Sequence, residues 1–157
     1  MNQLEVVISY DWRARSVRTS GSHTCALLTD GSPYCWGYNA WEQSTGTAGV
    51  DQYLRQIDAA FGLSCGLTQA GGLVCWGDSD SPIRDIPDGY RFNSFEMSSG
   101  HACALTREQL AVCWGNNEVG QATVPLWVAS TDPDTVEPEP VPEPEPEPLP
   151  MILGIGG

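Results

Sequence analysis

Lysine is absent from the 157-residue sequence, and seven arginines are its only permanent bases. Binding to a phosphate backbone needs clustered bases, so nucleic acid is excluded as a partner. No run of about eighteen apolar residues occurs, which excludes a complete transmembrane helix. The N-terminus, MNQLEVVISYDWRARS, lacks a basic start followed by an apolar core, so no signal peptide is visible. Cys-x-x-Cys is missing, and with it a redox dithiol. G-x-S-x-G, H-E-x-x-H, the phosphate-binding loop and the dinucleotide fingerprint are missing too. The expected protein is therefore not an enzyme and carries no cofactor.

What is present is acid, proline and cysteine: twenty Asp and Glu, twelve Pro and six Cys, with a net charge of −13. The charge is unevenly spread. Residues 1–130 carry a net of −6, ordinary for a soluble surface, and residues 131–157 carry the other −7. From Thr131 to Pro150 the chain reads TDPDTVEPEPVPEPEPEPLP. Alternate prolines remove backbone donors, and the glutamates between them repel, which favours an extended polyproline II rod. At ~3.1 Å per residue, Glu137 to Pro150 would reach about 43 Å. The apolar tip MILGIGG follows, with Met151, Ile152 and Leu153 as interface candidates. Such composition is either a disordered acidic tail or a stiff arm that docks on a neighbouring subunit. The expected organisation is thus an all-β domain at 1–130, a Glu/Pro-rich linker at 131–150 and a short tip at 151–157.

The body repeats itself. SGSHTCALLTDGSPYCWGYN (20–39), AFGLSCGLTQAGGLVCWGDS (60–79) and SSGHACALTREQLAVCWGNN (98–117) align, with cysteines recurring after 40 and then 38 residues. A period near 40 with glycine, aromatic and short-strand signals belongs to β-solenoids and propeller blades. Each unit reads as a hairpin, with strands at His23 to Leu28 and Pro33 to Gly37 in the first. Gly31 and Gly71 suit the positive-φ position of the hairpin loop, and Gln109 in the third predicts a strained or different turn. Further strands are expected at Leu4–Tyr10, Tyr53–Ala60, Arg91–Ser98 and Thr123–Val128.

This register sets Cys25 opposite Cys35, Cys65 opposite Cys75, and Cys103 opposite Cys113, at a separation that suits disulfides. Structural zinc prefers two to four residues between local ligands, and nine intervene here, so no metal site is expected. Each bond closes a loop of about eleven residues, worth roughly 2.5–3 kcal/mol. Six cysteines in a small acidic chain imply an oxidising compartment. Trp36, Trp76 and Trp114 recur in register and are expected to pack between blades. Trp12, Trp41 and Trp127 fall outside the pattern and are candidates for an interface. His23 and His101 lack a matched nucleophile and are expected to hydrogen-bond between blades. Asp78-Ser79-Asp80 starts like a calcium loop, but lacks its glycine and terminal glutamate.

The units GSHTCALLTDGSPYCWGYN and SGHACALTREQLAVCWGNNEVGQ resemble the regulator of chromosome condensation repeat in its bacterial form. The resemblance covers about residues 16–125 and implies a β-propeller, usually seven-bladed, that acts by binding proteins. Roles known in that family include nucleotide exchange on a small GTPase, chromatin docking and inhibition of a secreted β-lactamase. Unit two departs from it, with Leu63 for the histidine and Gly66 for the alanine. Three units cannot close a propeller, which needs at least four blades, so closure comes from self-association, from a partner, or not at all. The expected protein is a non-enzymatic interaction module of an extracellular assembly, such as a virion decoration or fibre. A secreted binding module, inhibitor-like or adhesive, is the alternative.

Overall fold

The computed structural model describes residues 13–45, 53–125 and 128. Among them, three antiparallel sheets of three strands follow one another along the chain. The first holds β1 (Ala14–Thr19), β2 (His23–Leu28) and β3 (Pro33–Gly37). The second holds β4 (Leu54–Ala60), β5 (Leu63–Thr68) and β6 (Leu73–Gly77), and the third β7 (Phe92–Met97), β8 (His101–Thr106) and β9 (Ala111–Gly115). Each sheet is one blade, and the edge strands β1, β4 and β7 lie side by side. The chain is all-β, with blades of propeller type.

The hairpin register is the one that the cysteine spacing implies. Cys25 faces Cys35, Cys65 faces Cys75 and Cys103 faces Cys113. All three pairs are disulfide-bonded, with Cα atoms 4.0, 4.1 and 4.0 Å apart. Opposite each first cysteine, on the neighbouring edge strand, stand Arg18, Asp58 and Glu96. Opposite each tryptophan of Cys-Trp-Gly stand Thr24, Ser64 and Ala102. These pairs number equivalent positions in the three blades.

The glycine of Cys-Trp-Gly is a steric requirement. Gly37, Gly77 and Gly115 all have positive φ, and an added Cβ would meet the carbonyl oxygen of Ser22, Gly62 or Gly100 at 2.8, 2.3 or 2.5 Å. That closeness lets the next residue's amide bond to the same carbonyl, as Tyr38 does to Ser22 at 2.9 Å. Gly66 has another cause. A methyl group there would lie 2.3 Å from Leu54 Cδ1, so the buried leucine has taken the alanine's space.

One strand was not expected, one expected strand does not form among its described residues, and the strain expected at Gln109 is present. The edge strand of the first blade that adjoins β4 is β1, ARSVRT, which its alternating exposed and half-buried residues conceal from a search for apolar runs. Thr123 to Pro125 form no strand: Thr123 belongs to a turn, bonding through its amide to the Gly120 carbonyl, and Pro125 has no amide to offer a ladder. The Gln109 turn keeps the shape of the other two. Gln109 adopts φ 66 where Gly31 and Gly71 have φ 90, and all three amides bond to the carbonyl three residues earlier. The expected strand at Leu4–Tyr10 lies outside the described residues.

Candidate functional site

Two joints hold the three blades together, and each is built differently. In the first, Cys25, Leu27 and Cys35 meet Leu54, Ile57, Ala59 and Trp76. His23 is buried against Ser64, its Nε2 lying 2.8 Å from the hydroxyl, while its Nδ1 lies 2.8 Å from the Ser20 hydroxyl. The Ser64 hydroxyl donates to the Gln43 carbonyl at 2.9 Å. Its proton is thereby used, so Nε2 of His23 carries the hydrogen and Nδ1 accepts from Ser20. Burial holds the His23 pKa below its ordinary value, which keeps the ring neutral. The Trp76 indole also donates to the Gln43 carbonyl, at 3.0 Å.

The second joint is apolar where the first is polar. Leu63 replaces the histidine, Ala102 replaces the serine, and both are buried among Cys65, Leu67, Phe92 and Phe95. Trp114 stacks on Phe92 with ring centroids 5.8 Å apart and donates to the Ile83 carbonyl at 2.8 Å. Crossing bonds are shared by the two joints. Arg15 donates to the Leu54 carbonyl at 2.6 Å, and Arg55 donates to that of Phe92. The amides of Leu54 and Phe92 bond to the carbonyls of Gly31 and Gly71.

Along the adjoining edge strands, Arg18 lies 3.9 Å from Asp58 and 3.8 Å from Glu96. Burial raises the Asp58 pKa, opposed by the amides of Met97 and Ala59 that bond its carboxylate. These groups all serve the joints. His101, by contrast, is only partly buried. Among the described residues no group of three or more His, Cys, Asp or Glu is placed to hold a metal. The Asp78 carboxylate accepts from the Asp80 amide at 3.0 Å, making a local turn of the Asp78-Ser79-Asp80 segment.

The surface candidates divide. Trp41 is 40% exposed and forms one cluster with two other exposed rings, Tyr38 at 5.7 Å and Phe61 at 5.8 Å. Gly62 lets the Trp41 ring lie against the β4–β5 turn, since a Cβ there would meet it at 3.1 Å. Tyr38 and Phe61 had no signal of their own in the sequence. Trp76 and Trp114 are buried as expected of blade packing, whereas Trp36 is 46% exposed, because no blade precedes it among the described residues. Trp12, Trp127, Met151, Ile152 and Leu153 lie outside the described residues, as does the 131–157 arm.

A model of the regulator of chromosome condensation (RCC1) repeat matches residues 14–40 and 93–121. Those two segments are RCC1 repeats. Both matched segments coincide with a blade containing histidine, and the unmatched middle blade has the same three strands with Leu63 in that place. Among solved structures the chain is similar to the CRINKLY WD40 ectodomain of the receptor kinase ACR4 from Arabidopsis thaliana. Identity is 26% over 68% of this chain and 38% of that one, with a TM-score of 0.59. It is also similar to the ectodomain of the receptor kinase CR4 from Physcomitrella patens, at 31% identity over 69% of this chain and 32% of that one, TM-score 0.57. Yeast RCC1 (Prp20), solved with Kap60, shares the fold at 19% identity, covering 67% of this chain and 32% of that one, TM-score 0.52. The chain spans roughly a third of the length of these structures. Comparison with curated proteins gives no match.

Proposed function

We propose that the chain is a non-enzymatic protein-binding module of an extracellular assembly, and that it binds through the Tyr38–Trp41–Phe61 rim. The observation that carries this reading is that the aromatic cluster does not recur. The loop around Trp41 has a counterpart after the third blade, where Trp41 becomes Val119 and Tyr38 becomes Asn116. Blade packing therefore does not require the rings, and exposed aromatics held in place by a glycine suit a protein contact. The three disulfides and the likeness to two receptor ectodomains support an oxidising, extracellular setting.

Between a particle surface, such as a virion decoration, and free secretion, the end faces that the described blades leave uncovered favour the assembled state. Uncovered strands and apolar faces are a hazard to a freely diffusing chain. The test immobilises the oxidised chain and its Trp41→Ala and Val119→Ala variants and compares the proteins that each retains from its native source. A partner lost from Trp41→Ala but kept by Val119→Ala supports the reading. An identical set on all three overturns it.

A further inference from the structure

Among the described residues, the three blades leave two end faces that are opposite halves of one joint. Each blade turns its disulfide and a leucine toward the blade that follows. Leu27 and Leu67 are fully buried there, yet Leu105 of the third blade is 38% exposed beside a hollow of about 230 Å³ that Cys103 and Ala111 also line. Each blade turns its Cys-Trp-Gly tryptophan toward the blade before it, and only that of the first, Trp36, is uncovered.

The chemistry of these faces matches the first joint and not the second. His101 occupies the place of His23, and the Ser98 amide bonds to its carbonyl at 2.9 Å, as Ser20 does in the first blade. Thr24 occupies the place of Ser64 and offers the same hydroxyl. The third component, the Gln43 carbonyl, also has a double. In the loop at 39–45 the Asn39 side chain bonds Thr45 and the Ser44 amide, and Gln43 accepts from the Trp41 amide. In the loop at 117–123 the Asn117 side chain bonds Thr123 and the Ala122 amide, and Gln121 accepts from the Val119 amide. The Gln121 carbonyl is thus set where an indole and a hydroxyl would meet it. No such loop serves the apolar second joint.

We propose that a second copy of this chain supplies the missing half, so that the first blade of each copy seats on the third blade of the other. Two heterologous contacts then close a two-fold ring of six blades, within the four to eight that propellers use. In this ring His101 donates to the second copy's Thr24, whose hydroxyl and Trp36 indole both donate to the Gln121 carbonyl. The second copy's Arg18 comes beside Glu96, placing opposite charges at the seam. One crossing bond is lost, because Asn93 stands where Arg15 and Arg55 stand in the other blades. This joint is therefore the weakest of the three, as suits chains that meet after folding. The inference is independent of the aromatic rim.

Sedimentation equilibrium of the oxidised full chain tests it. The expected mass is twice the 16.9 kDa of one chain. Leu105→Glu and Trp36→Glu place charges on opposite faces, and each alone should weaken the dimer at least tenfold. Both side chains are exposed in the single chain, and retention of three disulfides and the β-sheet circular dichroism reports folding. An equimolar mixture of the two variants retains one intact joint, so a mixed dimer should return. His101→Leu, a milder change, should weaken association without altering the fold. A wild-type monomer, open chains longer than two, a dimer indifferent to both charges, or a mixture that stays monomeric overturns the proposal. Trp41→Ala should leave the mass unchanged, which separates this outcome from that of the rim.

Discussion

His23 of the first blade and Ser64 of the second are joined by a 2.8 Å hydrogen bond whose direction is set by a third group, the Gln43 carbonyl. The serine can accept from the histidine because its own proton is committed. The neutral ring is therefore the form that the folded joint requires.

That requirement makes stability depend on pH. Burial depresses the His23 pKa from its ordinary 6.5, so the folded chain binds fewer protons there than the unfolded chain. The contribution is complete above that value and is lost as pH falls through the depressed pKa. Urea midpoints measured between about pH 7.5 and 5.5 should decline toward the acid side. The decline should flatten in His23→Leu/Ser64→Ala, and an equal decline in that variant would refute the assignment.

The same pair permits a transplant. Joint two already uses Leu63 and Ala102 where joint one uses His23 and Ser64. His23→Leu alone leaves the Ser64 oxygen without its ring donor and should cost about 1–3 kcal/mol. Adding Ser64→Ala should recover part of this in urea unfolding at neutral pH. A double variant weaker than the sum of the singles would argue against interchangeable joints.

Gly66→Ala should destabilise by about 1–3 kcal/mol, since the new methyl group overlaps buried Leu54. Leu54→Ala in the same chain should lessen the penalty of Gly66→Ala, because the space is then vacant. Thermal unfolding of the four variants in this cycle reads the coupling directly.

Gln109→Gly should raise stability by up to about 1 kcal/mol, because a left-handed backbone costs a side-chain-bearing residue roughly 1–2 kcal/mol and glycine repays part of that in chain entropy. The position has φ 66 and the side chain is exposed, so little else changes. A lower melting temperature would show that Gln109 makes an offsetting contact.

These effects differ in how far they could be read from residues alone. Hairpin register was legible because two cysteines ten residues apart, a turn residue between them and Trp-Gly after them leave one antiparallel alignment. β1 was not, since ARSVRT carries a single large apolar residue and is held by its neighbours rather than by its own pattern. The turn at Gln109 shows tertiary context overriding local preference: the Phe92–Met97 and Ala111–Gly115 strands hold β8 in place, and the backbone between them conforms. His23 could be suspected of a bond between blades, but its acceptor could not be named. Ser64 lies forty-one residues away, and the Gln43 carbonyl, a backbone atom in a loop, has no sequence signature. The exposure of Trp36 was equally hidden, because the unit that holds it looks like the other two.

Every disulfide joins residues ten apart within one sheet, and none crosses from one blade to the next. Under tension between the chain ends, the joints can part while each β-hairpin stays locked by a covalent bond. At about 3.3–3.6 Å per extended residue, each bond withholds roughly 35 Å of contour length. A chain pulled from its two ends would lengthen blade by blade and keep within each blade a fixed seed from which β1, β4 or β7 can re-pair.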